Sequence, residues 1–174
     1  MEKKITTLAS LCTHSFSANL DEVILRDGRT GKRMKIDHPE AAAVVPFVSD
    51  DEILMVRQYR YALGKETLEI PAGKLDPGET PEACIRRELM EETGYEAGEW
   101  TLLYTYAPAI GYSNERIHIY AARRLRKKKT RLDELEISAV EKHTLKSLKE
   151  MTKKGLLEDG KTLLGLFFVG MAWA

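Results

Sequence analysis

Residues 73–95 read GKLDPGETPEACIRRELMEETGY, and this stretch decides what the chain is. Asp76-Pro77-Gly78 predicts a turn. Thr80 then reads as a helix N-cap, with Pro81 at the first helical position and Ala83 as a good helix former. The helix is expected to run to about Thr93, with Gly94 as its left-handed stop. Upstream, 67–70 predicts a strand that enters the loop Pro71-Ala72-Gly73. On the helix, Glu88, Glu91 and Glu92 stand at i, i+3 and i+4 and so share one face. Like charges that close repel unless a cation lies between them. A hard divalent cation with oxygen ligands is the simplest remedy.

The spacing resembles the signature of the Nudix hydrolases: Gly73, five residues, Glu79, seven residues, then Arg87-Glu88-Leu89, Glu91-Glu92 and Gly94. Every fixed position matches. Tyr95 stands where the pattern has an aliphatic residue, a position read as packing. By this resemblance Glu88 and Glu92 are the main metal ligands, Ala72 adds its backbone carbonyl, and Glu91 bridges or holds a bound water. Glu91 and Glu92 are thereby also catalytic candidates. Arg87 and Glu79 resemble a supporting pair that holds the loop on the helix. The implied cofactor is Mg²⁺, with Mn²⁺ as substitute. The bland alternative is a solvated acidic face. Ile85 and Leu89 beside Glu92, and Cys84 between Glu88 and Glu91, instead embed the acids in apolar surface.

Working outward, the resemblance extends to the ADP-ribose and nucleoside diphosphate sugar diphosphatase branch. Arg57-Gln58-Tyr59-Arg60-Tyr61 precedes Glu69-Ile70-Pro71-Ala72-Gly73, as in that branch. Arg60 is the implied diphosphate contact, since a guanidinium fork suits phosphate oxygens. Arg33 and Lys74 join it as substrate contacts. Asn114-Glu115 matches a loop that touches the terminal sugar. The catalytic base of this branch lies on an acidic loop; here 131–137 reads RLDELEI, with Glu134 as base and Glu136 as a further metal ligand. The other reading of Asp133, Glu134 and Glu136 is an ordinary solvated turn. Members preferring ADP-ribose carry a proline where Ile110 stands; here Pro108 comes two residues early. The implied substrate set is therefore wider and includes GDP-mannose.

The rest of the chain bounds this reading. Its 174 residues suit one compact core. Lys+Arg and Asp+Glu each number 27, so the net charge is zero and charge-driven nucleic-acid or membrane-surface binding is not expected. Cys12 and Cys84 form no zinc pattern or disulfide framework, which fits a reducing cytoplasm. The first fifteen residues lack an unbroken apolar core, and the apolar run 163–174 is too short to span a bilayer.

Residues 23–25 and 34–36 flank Asp27-Gly28-Arg29-Thr30-Gly31 as a hairpin. Residues 42–48 and 53–59 read as a second strand pair, with Pro46 marking an edge or bulge. Further strands are expected at 100–106, 116–122 and 137–140, and helices at 144–154 and 162–173. The mixture predicts an α+β fold: a Nudix-like α/β/α sandwich over 41–174 with an amino-terminal β extension over 1–40. In this branch such strands are commonly exchanged in a homodimer, where Arg33 serves the partner's site.

The run GLLEDGKT at 155–162 satisfies the P-loop pattern, but a P-loop needs a preceding strand and 145–154 reads as a helix. The basic run 123–129 reads as a solvated strand end. The expected activity is Mg²⁺-dependent hydrolysis of nucleoside diphosphate sugars. Two alternatives stay open: an RNA 5′-end or cap pyrophosphohydrolase, and a non-catalytic nucleotide-sugar sensor.

Overall fold

The computed structural model describes residues 1–128 and 137–170. They fall into two compact units, one of residues 1–40 with 106–116, the other of 41–105 with 117 onward. In the first unit, β1 (Lys3–Cys12), β2 (Ser17–Ile24) and β3 (Thr30–Asp37) form an antiparallel sheet in that order. The expected hairpin is β2–β3, closing at Ile24 opposite Thr30. Gly28 takes φ +85° in its turn, a conformation glycine adopts without strain. The sequence reading assigned no strand to 3–12. β1 has no apolar alternation to announce it, and it is exposed along its whole length. Pairing with β2 is what makes it a strand.

In the second unit, β4 (Ala41–Pro46) is the axis. It runs antiparallel to β7 (Ala72–Lys74) and parallel to β9 (Ile117–Lys127), in a mixed sheet of order β7-β4-β9-β8, with β8 at Tyr95–Tyr106. All six residues of β4 are buried, and side-chain alternation explains how. Ala42 and Val44 face helix α1 (Pro81–Thr93), in one core with Ile85, Leu89 and Tyr120. Val45 faces the other way, toward Gly165 on helix α3 (Gly160–Phe168). The sheet is thus covered on both sides, the expected α/β/α sandwich. A second sheet, β10-β5-β6, holds β5 (Glu52–Arg60), β6 (Lys65–Glu69) and β10 (Ile137–Thr144), and helix α2 (Leu145–Lys153) follows β10.

Two expectations about 42–59 are corrected. The runs 42–48 and 53–59 do not form a strand pair within one sheet: β4 and β5 belong to different sheets, and the two runs are joined by an isolated bridge between Phe47 and Ile53. An unbroken apolar strand between two helical layers suits parallel pairing, and β9 supplies it. Pro46 marks neither an edge strand nor a bulge; it ends the central strand. The Val44 amide donates to Pro71 on the β7 side. The position two residues on faces the same side, beyond the last β7 pairing at Ala43, so no ladder donor is lost there.

Other boundaries move less. β8 begins at Tyr95 rather than 100, and β9 continues through the basic run to Lys127. There Arg123 pairs with Asp50 at 3.5 Å, Arg124 with Glu99 at 2.9 Å and Lys128 with Glu96 at 3.0 Å. Helix α2 precedes the P-loop-like run, so that run lacks the strand a P-loop needs. Asp159 instead caps α3, accepting from the Thr162 amide.

Candidate active site

Local chemistry builds helix α1 as the sequence predicts. Thr80 Oγ1 accepts from the Ala83 amide at 3.2 Å, Pro81 opens the helix, and Gly94 closes it at φ 74° with its amide on the Met90 carbonyl. The helix then presents Glu88, Glu91 and Glu92 beside the loop leaving β6.

One guanidinium organises this face. Arg87 grips Glu79 with Nε at 3.1 Å and Nη2 at 2.9 Å. Its Nη1 donates to Glu88 at 2.7 Å and to Glu91 at 3.2 Å, and Nη2 also reaches the Lys74 carbonyl at 3.2 Å. Glu79 accepts from the Asp76 amide at 3.0 Å as well. The Arg87 hydrogen bonds hold the Glu79 carboxyl at about 2, well below the usual carboxylate range. The loop is thereby fastened to the helix.

Glu92 has a different partner. It is buried, and its Oε2 accepts from the Ala72 amide at 3.1 Å. Glu88 packs against Gly73, so closely that any side chain at 73 would meet its carboxylate. Cys84 donates its thiol toward the carbonyls of Gly73 and Lys74 at 3.5 and 3.4 Å. Burial, with the nearby Glu88 charge, pushes that thiol up to about 12 and keeps it protonated.

Beside the loop lies a second charged cluster that the sequence reading did not find. Glu69 is buried at the end of β6. Arg60 donates to it through Nε at 2.7 Å and Nη2 at 2.5 Å, Thr67 Oγ1 donates at 2.7 Å, and Lys161 donates from α3. Burial alone would raise this carboxyl; the Arg60 bonds and the Lys161 charge outweigh it and hold it at about 2. Arg60 stays charged chiefly through Glu69, aided by the fields of Asp159 and Glu92. A cavity of about 330 Å³ opens here, lined by Arg60, Thr67, Glu69 and Asp159 among others. The available signal was a carboxylate between Leu68 and Ile70, with Lys161 in an apolar helix 92 residues away.

A NUDIX domain family model matches residues 37–164. The chain belongs to the Nudix hydrolase family. This Nudix chain is 38% identical over 170 residues to a methanol dehydrogenase activator of Bacillus methanolicus, covering 97% of this chain and 92% of that protein. It is 35% identical over 152 residues to an ADP-ribose pyrophosphatase of Bacillus subtilis (strain 168), covering 86% and 82%. A crystal structure titled ADP compounds hydrolase superposes with a TM-score of 0.80 at 24% identity, covering 96% and 92% of the two chains, so the Nudix fold is shared.

Set on this Nudix framework, the expected site residues divide. Ala72, Lys74, Glu88, Glu91 and Glu92 are gathered where β7 meets α1, and Arg60 stands within the electrostatic reach of Glu92. Arg33, Asn114 and Glu115 lie in the other unit. Arg33 pairs with Glu2 there, at 3.0 and 2.5 Å. Asn114 accepts from the His38 amide at 2.8 Å and donates to Asp37 at 3.2 Å. Glu115 lies 3.5 Å from the His38 ring. Glu134 and Glu136 lie outside the described residues.

The donor set suits a hard divalent cation by its chemistry. Three carboxylates, Glu79, Glu88 and Glu91, converge on the Arg87 guanidinium, one positive charge among three negative ones. Glu88 and Glu92 are oxygen donors with little solvent around them. Among the described residues, no three acidic, thiol or imidazole side chains already converge as a closed cage. Arg87 draws Glu88 and Glu91 to itself, and a backbone amide occupies Glu92.

Proposed function

We propose that this Nudix protein hydrolyses the diphosphate of nucleoside diphosphate sugars in the presence of Mg²⁺, releasing a nucleoside monophosphate and a sugar phosphate. The observation that carries the reading is the meeting of two surfaces at one loop. The acidic face of α1 holds the Ala72 amide through Glu92, and the Arg60–Glu69 pair stands at the loop's other end. One surface suits cations and the other suits phosphate oxygens. The similarity to an ADP-ribose pyrophosphatase supports ADP-ribose as first substrate, and the Ala107-Pro108-Ala109-Ile110 turn supports a set that includes GDP-mannose.

In this reading Glu88, Glu92 and the Ala72 carbonyl hold Mg²⁺, with Glu91 and Glu136 assisting. Bound Mg²⁺ supplies charge neutralisation at the diphosphate and a more acidic water. The chain does the rest. Arg60 and Lys74 orient the diphosphate; Glu134 accepts the proton of the attacking water; Arg87 and Glu79 hold the carboxylates in place. Asn114, Glu115 and Arg33 are the proposed contacts to the remainder of the substrate. We place the protein in the cytoplasm, as a homodimer with exchanged amino-terminal strands. The exposed Ile5, Leu8, Leu11 and Met34 on β1 and β3 favour such an assembly. No described helix is long and apolar enough to cross a membrane.

A panel of nucleotide sugars with Mg²⁺ or Mn²⁺ tests the activity, read as phosphate release after phosphatase coupling. ADP-ribose should be cleaved, chelator should stop turnover, and Glu92→Gln should lose at least about 100-fold. A panel left intact, or a Glu92→Gln rate equal to wild type, would sink the proposal. Light scattering reads the dimer.

A second reading is favoured by the 38% identity to a methanol dehydrogenase activator. The chain would then also raise the rate of a methanol dehydrogenase. Dehydrogenase turnover with and without the protein decides it, and an unchanged rate refutes it.

A further inference from the structure

Glu69 has more positive charge around it than it needs. Its side chain is 3% exposed, and two cations bond it. They differ in position: the Arg60 side chain is 41% exposed, that of Lys161 only 9%. A buried carboxylate requires one fixed counter-charge, because leaving it unpaired is strongly destabilising. Lys161 is placed to be that charge. Asp159 also lies 3.1 Å from Lys161. Asp159 has support of its own, however, accepting from the Thr162 amide at 2.9 Å and hydroxyl at 2.5 Å at the amino terminus of α3. Lys161 pairs with both carboxylates, and of the two Glu69, 3% exposed against 20% for Asp159, is the one that solvent screens less.

Arg60 is the solvent-facing member. Its bonds to Glu69 use Nε and Nη2 and not Nη1, and it faces the cavity of about 330 Å³. Thr162, next to Lys161, accepts from the Ile70 amide at 2.9 Å and so holds the peptide that follows Glu69. The same turn of α3 thus fixes both Glu69 and the start of the loop.

We propose that Lys161 is a positioning residue that frees Arg60 for a substrate diphosphate: by neutralising Glu69 from the buried side, it lets the Arg60 guanidinium engage phosphate oxygens without stranding a buried carboxylate. This rests on the reading of Arg60 as a diphosphate contact. It assigns the lysine of the P-loop-like run an indirect part, acting through another residue.

Calorimetric binding of ADP-ribose in a metal chelator tests it without turnover. Lys161→Met is expected to weaken binding about tenfold and Arg60→Met at least as much. The double variant should bind no more weakly than Arg60→Met alone, because Lys161 acts through Arg60. Lys161→Met affinity equal to wild type overturns the inference, as do single effects that multiply. Should Lys161→Met fail to fold, Glu69→Gln/Lys161→Met removes both buried charges together and replaces it. That variant should bind within about threefold of wild type, since Arg60 no longer has a carboxylate to neutralise; a tenfold loss overturns the inference. A wild-type chain that binds ADP-ribose but does not cleave it refutes the hydrolase reading and leaves this inference standing. A wild-type chain with no affinity overturns the inference itself.

Discussion

A Cβ built on Gly73 would lie 1.8 Å from Glu88 Oε1. No side-chain carbon tolerates that approach, so any residue but glycine at 73 must displace the Glu88 carboxylate. Gly73→Ala should push the Glu88 carboxylate away from the loop. Because a shift of about 1 Å in a reacting group can cost about 100-fold, ADP-ribose hydrolysis should fall by that order. The thermal midpoint should move far less, since Glu88 is on the site face and not in the core. Equal rates for variant and wild type would show that the Glu88 position is immaterial.

Arg87 bridges three carboxylates that otherwise repel. Arg87→Met should cost about 1–2 kcal/mol in urea unfolding, with allowance for the partial exposure of the pairs. Added Mg²⁺ should raise the melting temperature of Arg87→Met by more than it raises wild type, because the ion supplies the missing positive charge. A Mg²⁺ shift that is the same or smaller in the variant contradicts this account.

Glu69 carries a pH signature. Its carboxyl moves from an ordinary value of 4.5 to about 2 on folding. A depressed folded value stabilises the protein above the unfolded value, and that contribution is lost as pH falls toward the folded one. Stability should therefore decline between about pH 4.5 and 2. Glu69→Gln should flatten this decline but lower stability at neutral pH by about 3 kcal/mol, since two cations lose a buried anion. Glu79 titrates in the same direction, so some slope should remain. Urea titrations at neutral pH and at several acid values check it; parallel curves for variant and wild type are the contrary result.

Gly165 is the contact point between α3 and the sheet. A Cβ there would lie 2.9 Å from Val45 Cγ2 and 3.2 Å from Ile70 Cδ1. Gly165→Val should destabilise by about 1–3 kcal/mol through overpacking. Any gain in helix propensity, at most about 1 kcal/mol, should not offset it. Differential scanning calorimetry measures the balance, and a raised melting temperature would mean that α3 can move away from β4 freely.

Much of the site was legible because its logic is local. Thr80, Pro81 and Gly94 bound α1 through bonds spanning three or four residues, and the spacing of Glu88, Glu91 and Glu92 follows from helical period. The grip of Arg87 on Glu79 spans eight residues and one turn, short enough for a motif to record. The acidic stripe was expected to want a metal ion as its counter-charge; in the fold, Arg87 also serves that role for Glu88 and Glu91.

What the amino-acid order determined alone was this short-range chemistry: helix, caps, turn and carboxylate face. Only the tertiary structure decided the rest. It put β4 and β5 in different sheets, made a strand of residues 3–12, and brought Lys161 onto Glu69 across 92 residues. The physical reason is that a helix or turn satisfies its polar groups within a few residues, whereas strand pairing and buried charge depend on whichever distant segment completes them.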